Sequence, residues 1–350
     1  MPGLASMIEQ WDGQAVVCQF DRQAQAWVFI ALHDTTLGRP VGGTRMKVYQ
    51  RPEDGLRDAM RLAEGMTHKW AVIDFPNGGG KAVLALSRPL EGEERVGLLE
   101  RYAGLLRSLK GSFATGEDLG TTPEDMLVLA RECDYVHGYE PDRGAVKDPG
   151  PVTAVGVFAG LKAAVRHQLG KPELEGVSVL VQGVGDVGAP LARFCAAAGA
   201  RLLISDIEAP RAEALAAELK GEVVPADETY ATPCDVYAPC AVGGTLNRET
   251  IPRLQCRIVA GSANNQLELP EDAELLHERD ILYAPDYLIN AGGALAFGLI
   301  AQGVPDDEAL LEQVRGLGAK LGEVFEEAAQ RGESPAHAAH RRVMRVLGRA

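Results

Sequence analysis

The sequence lacks several features that would assign it to other classes of protein. Its 350 residues are 5% aromatic, and its six cysteines include no Cys-x-x-Cys pair. We therefore expect no metal site and no disulfide framework, but reduced thiols in a cytoplasmic protein. The N-terminal ten residues contain neither a basic segment nor an apolar one, so no export signal is expected.

Positive charge is also scarce. The formal net charge is −14, from 35 basic and 49 acidic residues, which argues against a nucleic-acid or anionic-membrane partner. The longest apolar stretch, residues 288–304, contains an asparagine, a glutamine and four glycines. This composition favours a buried helix over a membrane span.

The length and the hydrophobic pattern indicate an α/β protein of two domains. From residue 152 onward, short apolar strands alternate with helical segments, as in a parallel, doubly wound sheet. Residues 138–151 hold three prolines and three glycines, and they are the predicted interdomain linker.

Two lysines stand in a segment rich in glycine and apolar residues, which runs from Gly65 to Lys81. A lysine removed from water favours its neutral form, and a second cation nearby acts in the same direction. Such an amine accepts a proton near neutral pH. The alternative is a phosphate loop or a tight turn with a solvated lysine.

A second signal is typical of dinucleotide binding. An apolar strand, residues 177–181, precedes a Gly-x-Gly-x-x-Gly turn at Gly183, Gly185 and Gly188 and then a helix. The glycines permit the turn, the approach of a pyrophosphate and close helix packing. Asp206, at the end of the next strand, can bind ribose hydroxyls and repel a 2′-phosphate, which favours NAD over NADP. Arg211 leaves the exclusion of NADP open.

With both signals in one chain, the sequence resembles the glutamate/leucine/phenylalanine/valine dehydrogenase family over roughly residues 17–350. Nine motifs carry the resemblance. They are His33-Asp-Thr-Thr, Gly42-Gly-Thr-Arg-Met46, Gly65-Met-Thr-His-Lys69, Gly78-Gly-Gly-Lys81, Thr115-Gly-Glu-Asp118, Gln182-Gly-Val-Gly185, Ala238-Pro-Cys-Ala241, Ala260-Gly-Ser-Ala-Asn-Asn265 and Tyr283-Ala-Pro-Asp-Tyr-Leu-Ile-Asn-Ala-Gly-Gly293.

The resemblance implies an NAD-dependent, reversible oxidative deamination of an L-amino acid to the 2-oxo acid and ammonia, by a homo-oligomer. It implies a substrate and oligomerisation domain, residues 1–145 with about 325–350, and a Rossmann-type NAD-binding domain, residues 146–324. By the same resemblance, Lys69 holds the substrate carboxylate, Lys81 activates water, Asp118 carries protons and Asn265 helps to place the substrate. The implied cofactor-binding residues are Thr153, Gly183, Gly185, Asp186, Val187, Gly188, Asp206, Ala238, Cys240 and Asn290.

The side chain of the substrate is expected to be apolar. Glutamate-specific relatives carry a lysine where this chain has Val41, and an apolar wall would leave a second carboxylate unpaired at a cost of several kcal/mol. The expected pocket residues are Val41, Gly78, Gly116, Ala294 and Phe297. Phenylalanine and leucine both remain open, because one methylene is worth only about 1–3 kcal/mol in such a pocket.

Three rival interpretations remain. The chain could be a catalytically idle regulatory or NAD-binding subunit, but a binding module needs none of Lys69, Lys81 and Asp118. It could be a glutamate dehydrogenase, or a dehydrogenase for another substrate such as a hydroxy acid. Hydroxy-acid dehydrogenases usually use a histidine with an arginine clamp, and His68 is the only histidine in the segment from Gly65 to Lys81.

Overall fold

The computed structural model describes residues 4–136, 139–140, 145–146, 149–304 and 307–349. Contacts divide the chain into two compact units. Unit 1 comprises Met1–Asp148, Phe297–Val304 and Arg345–Ala350, and unit 2 comprises Pro149–Ala296 and Pro305–Met344.

The two units differ from the predicted domains in the C-terminal part of the chain. Residues 325–344, expected with the substrate domain, lie in unit 2. Within the predicted linker, residues 138, 141–144 and 147–148 lie outside the described residues. The assignment of substrate binding to one domain and cofactor binding to the other stays a prediction.

Unit 1 is built on a five-stranded mixed sheet in which β5 is central. The hairpin strand β2 pairs antiparallel with β1 and with β5, while β3 and β4 pair parallel with β5 on its other side. The strands are β1 (Ala15–Asp21), β2 (Ala26–Asp34), β3 (Pro40–Val41), β4 (Thr44–Val48) and β5 (Gly78–Leu86). Short strands β6 (Tyr139–Glu140) and β7 (Ala145–Val146) form a separate antiparallel pair.

Helices cover both faces of this sheet, and the burial of β2 shows why its sequence is continuously apolar. Val28 and Ile30 pack in one core cluster, whereas Phe29 and Ala31 pack in another on the opposite face. Successive side chains of a strand point to opposite faces, so a strand buried on both sides needs apolar residues throughout. The helices of this part are α1 (Leu4–Gln10), α2 (Pro52–Val72), α3 (Gly92–Ser108) and α4 (Pro123–Glu132).

In the sequence, the helical spacing of apolar residues runs from residue 52 to 67, and helix α2 continues five residues further, to Val72. Trp70, Ala71 and Val72 continue its buried face, each at most 1% exposed. As a result, Lys69 lies in the last turn of the helix.

The three glycines before Lys81 lie in a strand and form no loop. All nine residues of β5 are buried. A Cβ on Gly79 would stand 1.9 Å from Thr67 Oγ1, so only glycine lets α2 approach the strand this closely. The phosphate-loop interpretation of this segment is therefore wrong.

Unit 2 contains a six-stranded parallel sheet, which confirms the predicted Rossmann-type architecture. The strand order is β10-β9-β8-β11-β12-β13, so the chain reverses direction across the sheet between β8 and β11. The strands are β8 (Ser178–Gln182), β9 (Arg201–Ser205), β10 (Glu222–Val223), β11 (Val236–Pro239), β12 (Ile258–Val259) and β13 (Leu282–Tyr283).

Nine α-helices follow residue 148 in the part of the chain that the structure describes. They are α5 (Pro149–Leu169), α6 (Gly188–Ala197), α7 (Ala209–Leu219), α8 (Asp272–Glu278), α9 (Asp286–Ile289), α10 (Gly292–Ala301), α11 (Asp307–Arg315), α12 (Leu317–Arg331) and α13 (Pro335–Val346). The apolar stretch 288–304 thus forms the end of α9 and all of α10. No helix in the described ranges has the length and apolar character needed to cross a membrane.

Candidate active site

Lys81 lies in the middle of the central strand of unit 1. It pairs with Ala31 of β2, and its whole residue is only 4% exposed. Its Nζ lies 2.8 Å from Asp118 Oδ1. The structure therefore brings together the two residues that the sequence analysis expected to be catalytic.

A local turn holds Asp118. Its backbone N–H donates to Thr121 Oγ1 at 3.0 Å, and the Thr121 N–H donates to the Asp118 carbonyl at 3.0 Å. The Thr121 hydroxyl also lies 2.9 Å from the Thr44 carbonyl of β4, where it can donate. This turn ends where α4 begins, and it anchors the Asp118 backbone to the sheet that carries Lys81.

Burial and nearby charges set the ionisation of the pair. Burial lowers the pKa of the Lys81 ammonium, and the Arg45 cation lowers it further, while Asp118 opposes both. Burial also acts to raise the pKa of Asp118, but the Lys81 and Arg45 cations outweigh it and hold the pKa below its usual range. An anionic carboxylate thus lies beside an amine that loses its proton more easily than an exposed lysine does.

Three residues next to this pair had no role in the sequence analysis. Arg45 Nε donates to Asp118 Oδ2 at 2.9 Å, and Arg45 Nη1 donates to Asp58 Oδ2 at 2.9 Å. The Tyr49 hydroxyl donates to the same Asp58 oxygen at 2.6 Å. Arg45 belongs to the Gly42-Gly-Thr-Arg-Met46 motif, and that motif was the only sequence signal for it. Nothing in the sequence pattern linked Asp58 or Tyr49 to Arg45.

The other predicted substrate residues of unit 1 lie near the edge of the same sheet. Lys69 is half-buried, and its neighbour Trp70 donates from Nε1 to the Val41 carbonyl at 3.0 Å. This bond ties the helix turn that carries Lys69 to β3. Val41 is 5% exposed and pairs with Gly79, Gly78 is buried at the start of β5, and the Gly116 carbonyl accepts from Thr44 N at 2.8 Å.

The remaining predicted pocket residues lie later in the chain. Ala294 and Phe297 are half-buried on α10. Asn265 has a left-handed backbone, with φ of 51°, and its carbonyl accepts from Gly244 N at 2.7 Å. Asparagine tolerates that conformation well. Asn265 therefore has a turn-forming part in the fold, and its contact with substrate stays a prediction.

In unit 2, the glycine-rich turn follows β8 and leads into α6. Gly183 has φ of 87°, and a Cβ on Gly188 would stand 1.8 Å from the Gly183 carbonyl oxygen. Both positions therefore require glycine. A Cβ on Gly185 would meet no atom within 4 Å, so the turn leaves open space at the residue expected to face the pyrophosphate. Asp186 and Val187 complete the turn, with Val187 as the N-cap of α6.

Asp206 lies directly after β9, next to this turn. Its Oδ2 accepts from Val184 N at 2.8 Å and its Oδ1 accepts from Glu208 N at 2.9 Å. The carboxylate therefore supports the glycine turn, and its contact with a ribose stays a prediction. Arg211, which left the exclusion of NADP open, forms an ion pair with Glu208 at 3.0 Å.

Four further predicted cofactor residues occupy different elements of unit 2. Thr153 Oγ1 donates to the Pro149 carbonyl at 2.7 Å in the first turn of α5. Ala238 is fully buried in β11, and Cys240 N donates to the Gln182 carbonyl at 2.7 Å.

Asn290, the last of these residues, has an unsatisfied acceptor. Its Nδ2 donates to the Ser262 carbonyl at 3.1 Å and to Asn264 Oδ1 at 2.8 Å. Its Oδ1 is buried with no hydrogen-bond partner. Among the described residues, no three His, Cys, Asp or Glu side chains are grouped for a metal ion.

A parallel sheet with a glycine-rich turn at a helix N-terminus is typical of dinucleotide-binding proteins, and a buried lysine–carboxylate pair is typical of an active site. Comparison with known proteins identifies the family. The profile of the "Glu/Leu/Phe/Val dehydrogenase, dimerisation domain" matches residues 16–135, and that of "Glutamate/Leucine/Phenylalanine/Valine dehydrogenase" matches residues 204–303.

Individual relatives agree with these profiles. Leucine dehydrogenase of Bacillus cereus is 43% identical over 289 residues, which cover 82% of this chain and 78% of that protein. Phenylalanine dehydrogenase of Lysinibacillus sphaericus is 38% identical over 339 residues, covering 95% and 88%. The crystal structure of L-tryptophan dehydrogenase from Nostoc punctiforme has a TM-score of 0.81 at 36% identity, covering 99% and 98%.

The chain belongs to the glutamate/leucine/phenylalanine/valine dehydrogenase family, and it is an oxidoreductase that acts on CH–NH2 groups. The resemblance drawn from the sequence motifs is confirmed, and so is the expectation of an enzyme. The family is NAD(P)-dependent.

Proposed function

We propose that this protein catalyses the reversible, NAD-dependent oxidative deamination of an apolar L-amino acid to the 2-oxo acid and ammonia. The observation that carries the proposal is the buried Lys81–Asp118 pair, with its 2.8 Å contact. It occurs in a chain about 40% identical to leucine and phenylalanine dehydrogenases. A regulatory or binding module has no need of a lysine whose pKa is lowered by burial.

Lys69 is proposed to bind the substrate carboxylate. It is half-buried in the last turn of α2, and the Trp70–Val41 hydrogen bond anchors that turn to the sheet. A lysine offers a point charge with three donors, which suits a carboxylate.

Lys81 and Asp118 are proposed to move the protons. Bound NAD would supply the acceptor for a hydride from the substrate Cα, and the substrate would become an iminium. Neutral Lys81 then takes a proton from the water that attacks this carbon, and the ammonium formed is stabilised by Asp118 at 2.8 Å. Asp118 takes a proton from the substrate ammonium before the hydride leaves and releases it to solvent. It later passes the Lys81 proton to the carbinolamine nitrogen, and Lys81, neutral again, takes the hydroxyl proton as the C–N bond breaks and ammonia leaves.

The proposed cofactor site uses unit 2. The turn of Gly183, Gly185 and Gly188 would receive the pyrophosphate at the N-terminus of α6, where backbone N–H groups and the helix dipole favour an anion. Asp206 would bind the adenosine ribose hydroxyls. The unsatisfied Oδ1 of Asn290 fits an amide N–H donor such as the nicotinamide carboxamide.

The proposed substrate side chain is large and apolar. Val41 replaces the lysine that would bind a second carboxylate, and it is buried in β3. Gly116 adds no side chain to the loop before Asp118. The relatives that are named for leucine, phenylalanine and tryptophan support this class of substrate.

A panel of L-amino acids tests the substrate proposal. We expect reduction of NAD with leucine, phenylalanine or tryptophan, and a kcat/KM for glutamate at least ~100-fold lower, because its second carboxylate would lose water without gaining a cation. Initial rates at alkaline pH measure this. Activity confined to glutamate would refute the apolar pocket, and activity with 2-hydroxy acids alone would refute deamination.

The NAD preference is tested by the variant Asp206→Asn. It removes the charge that repels a 2′-phosphate but keeps an acceptor for the Val184 or Glu208 amide, so the glycine turn stays supported. We expect the ratio of kcat/KM for NAD to that for NADP to fall by about 10- to 100-fold. With alanine in place of Asp206, the effect of the lost charge could not be separated from the effect of the lost hydrogen bonds to the turn.

The matched control is Glu213→Gln, which removes an exposed acid from α7, the helix that follows Asp206. It should leave the ratio at the wild-type value. An unchanged ratio in Asp206→Asn would show that the carboxylate only supports the turn.

We also propose that the protein is a homo-oligomer located in the cytoplasm. The profile that matches residues 16–135 is named a dimerisation domain. The edge strand β1 of unit 1 is largely half-exposed or exposed, and its Phe20 is 38% exposed. Edge strands present unpaired backbone groups that can bind a second chain. The cytoplasmic location stays a prediction from the cysteine content.

A further inference from the structure

The Asp118 carboxylate uses its two oxygens for two different cations. Oδ1 lies 2.8 Å from Lys81 Nζ, and Oδ2 accepts from Arg45 Nε at 2.9 Å. A carboxylate bound by one lysine could rotate about its terminal bond, because that torsion is soft. The second contact removes this freedom, so Oδ1 faces Lys81 and Oδ2 faces Arg45.

Arg45 is itself held on the side away from Asp118. It lies on β4, paired with Val83 of β5, and its Nη1 donates to Asp58 Oδ2 at 2.9 Å. The side chains of Arg45 and Asp58 are each only 14% exposed. Tyr49 donates to Asp58 Oδ2 at 2.6 Å, and Arg61 Nη2 donates to Asp58 Oδ1 at 3.2 Å. The order Asp58–Arg45–Asp118–Lys81 thus alternates anion and cation across the sheet.

We propose that Arg45 is a positioning residue for Asp118, and that Asp58 and Tyr49 hold Arg45 in place. By binding Oδ2, Arg45 reserves Oδ1 for proton exchange with Lys81 and the substrate nitrogen. This inference rests on the proposed deamination function and adds three residues to its machinery. A planar guanidinium can bridge two carboxylates in fixed directions, which a lysine ammonium cannot do.

The same chain of charges sets the acidity of Lys81. The Arg45 cation disfavours the ammonium form of Lys81, and the Asp58 anion favours it. Other charged or titratable groups lie on the elements packed against β5. They are His33 and Asp34 on β2, Lys47 on β4, and Glu53, Asp54, Arg57, Arg61, Glu64, His68 and Lys69 on α2. Since none of these changes in the variants below, opposite effects are expected when Arg45 or Asp58 is neutralised.

The test compares Arg45→Gln with Asp58→Asn in the full-length protein. Deamination requires neutral Lys81, so kcat/KM rises with pH through the pKa of Lys81. Loss of the Arg45 cation raises that pKa, so the rise of kcat/KM with pH, which is the acid limb of the profile, moves to higher pH. Loss of the Asp58 anion lowers it and moves the limb to lower pH. We expect shifts of about 0.5–1 pH unit in opposite directions. A merely structural role would lower activity without moving the two limbs apart.

Arg45→Lys separates charge from orientation. It keeps the cation, so the midpoint of the acid limb should stay within about 0.3 pH unit of wild type. A lysine lacks the planar fork that fixes the directions of both carboxylates, so kcat should fall by about 10- to 100-fold. Wild-type kcat in Arg45→Lys would overturn the positioning role.

A matched control breaks another arginine–aspartate pair of unit 1. Arg101 Nε donates to Asp21 Oδ2 at 2.6 Å on a different part of the sheet. Arg101→Gln should leave both the acid limb and kcat as in wild type. Loss of Arg45 leaves both carboxylates with partners, since Asp118 keeps Lys81 and Asp58 keeps Tyr49 and Arg61. Thermal melting confirms that each protein is folded.

A second measurement reads Lys81 without turnover. Trace acetylation with acetic anhydride over a pH series, followed by mass spectrometry of the Lys81 peptide, gives the pKa of this amine. We expect the same opposite shifts in Arg45→Gln and Asp58→Asn. Coincident pKa values in wild type and both variants would overturn the inference. If wild type deaminates no L-amino acid, the proposed function fails, while this measurement still decides the coupling of Arg45 and Asp58 to Lys81.

Discussion

Replacing Lys81 by methionine is expected to lower kcat for deamination by about 10³- to 10⁴-fold, the range lost with a general base. Methionine has a similar volume and no proton to exchange. Asp118 keeps its contact with Arg45 at 2.9 Å, so the variant buries no unpaired charge and should fold. Because the dinucleotide turn lies in unit 2, the Kd for NAD should stay within about twofold of wild type.

Two measurements show that the loss is chemical. Thermal melting and NAD titration establish that the Lys81→Met protein is intact. In Lys81→Ala, which leaves a space in place of the amine, added methylamine or ethylamine should restore part of the rate, and the restoration should rise with the pH. Turnover near the wild-type value in Lys81→Met would mean that the buried lysine is only a structural partner of Asp118.

Asp118→Asn should have a comparable effect, lowering kcat by about 10²- to 10⁴-fold. The amide has nearly the same shape, but it cannot carry a proton to or from the substrate nitrogen. The pH dependence should also change in a defined direction. The Asp118 anion raises the pKa of Lys81, so its removal lets burial and Arg45 lower that pKa further. The acid limb of the residual activity should therefore move to lower pH.

Glu132→Gln is the matched control for this variant. Glu132 is an exposed acid of the same unit that pairs with Arg107 at 3.0 Å, and exposed pairs contribute little. Its kcat and pH profile should equal those of wild type. If Asp118→Asn retained more than about a tenth of the wild-type kcat, Asp118 would not be the proton carrier, because one such group is worth at least ~100-fold.

The variants Lys81→Met and Asp118→Asn also distinguish the roles of the two residues. Loss of Lys81 removes the group whose neutral form activates water, so the residual rate should lose its rise with pH. In Asp118→Asn the residual rate still rises with pH, but the rise occurs at lower pH. The structure supports this division, because Lys81 is 4% exposed in a central strand whereas Asp118 stands at the end of a loop and its side chain is 19% exposed.

Much of this protein follows from local sequence patterns. A glycine turn between an apolar strand and a helix is a local feature, and the predicted strand, residues 177–181, lies within one residue of β8 in the structure. The family motifs are local as well, and they identified the class of enzyme that the comparisons confirm. The candidate residues Lys81 and Asp118 came from these motifs.

Other features depend on contacts between distant parts of the chain. The sequence of the glycines before Lys81 is compatible with a loop or with a strand. In the structure they form a strand, and Thr67 approaches Gly79 closely. Likewise, Asp206 was expected only to face a ribose, but it also holds the Val184 amide. No local pattern reveals either contact.

The amino-acid sequence by itself determined the family, the dinucleotide turn and the identity of the lysine and the carboxylate. Only the tertiary structure decided how the site is charged. Arg45 meets Asp118 through the register of β4 on β5, and it meets Asp58 because α2 packs over the same sheet. Ion pairs between residues 13 and 73 positions apart depend on strand register and helix packing, and these distances lie beyond the reach of any local sequence pattern.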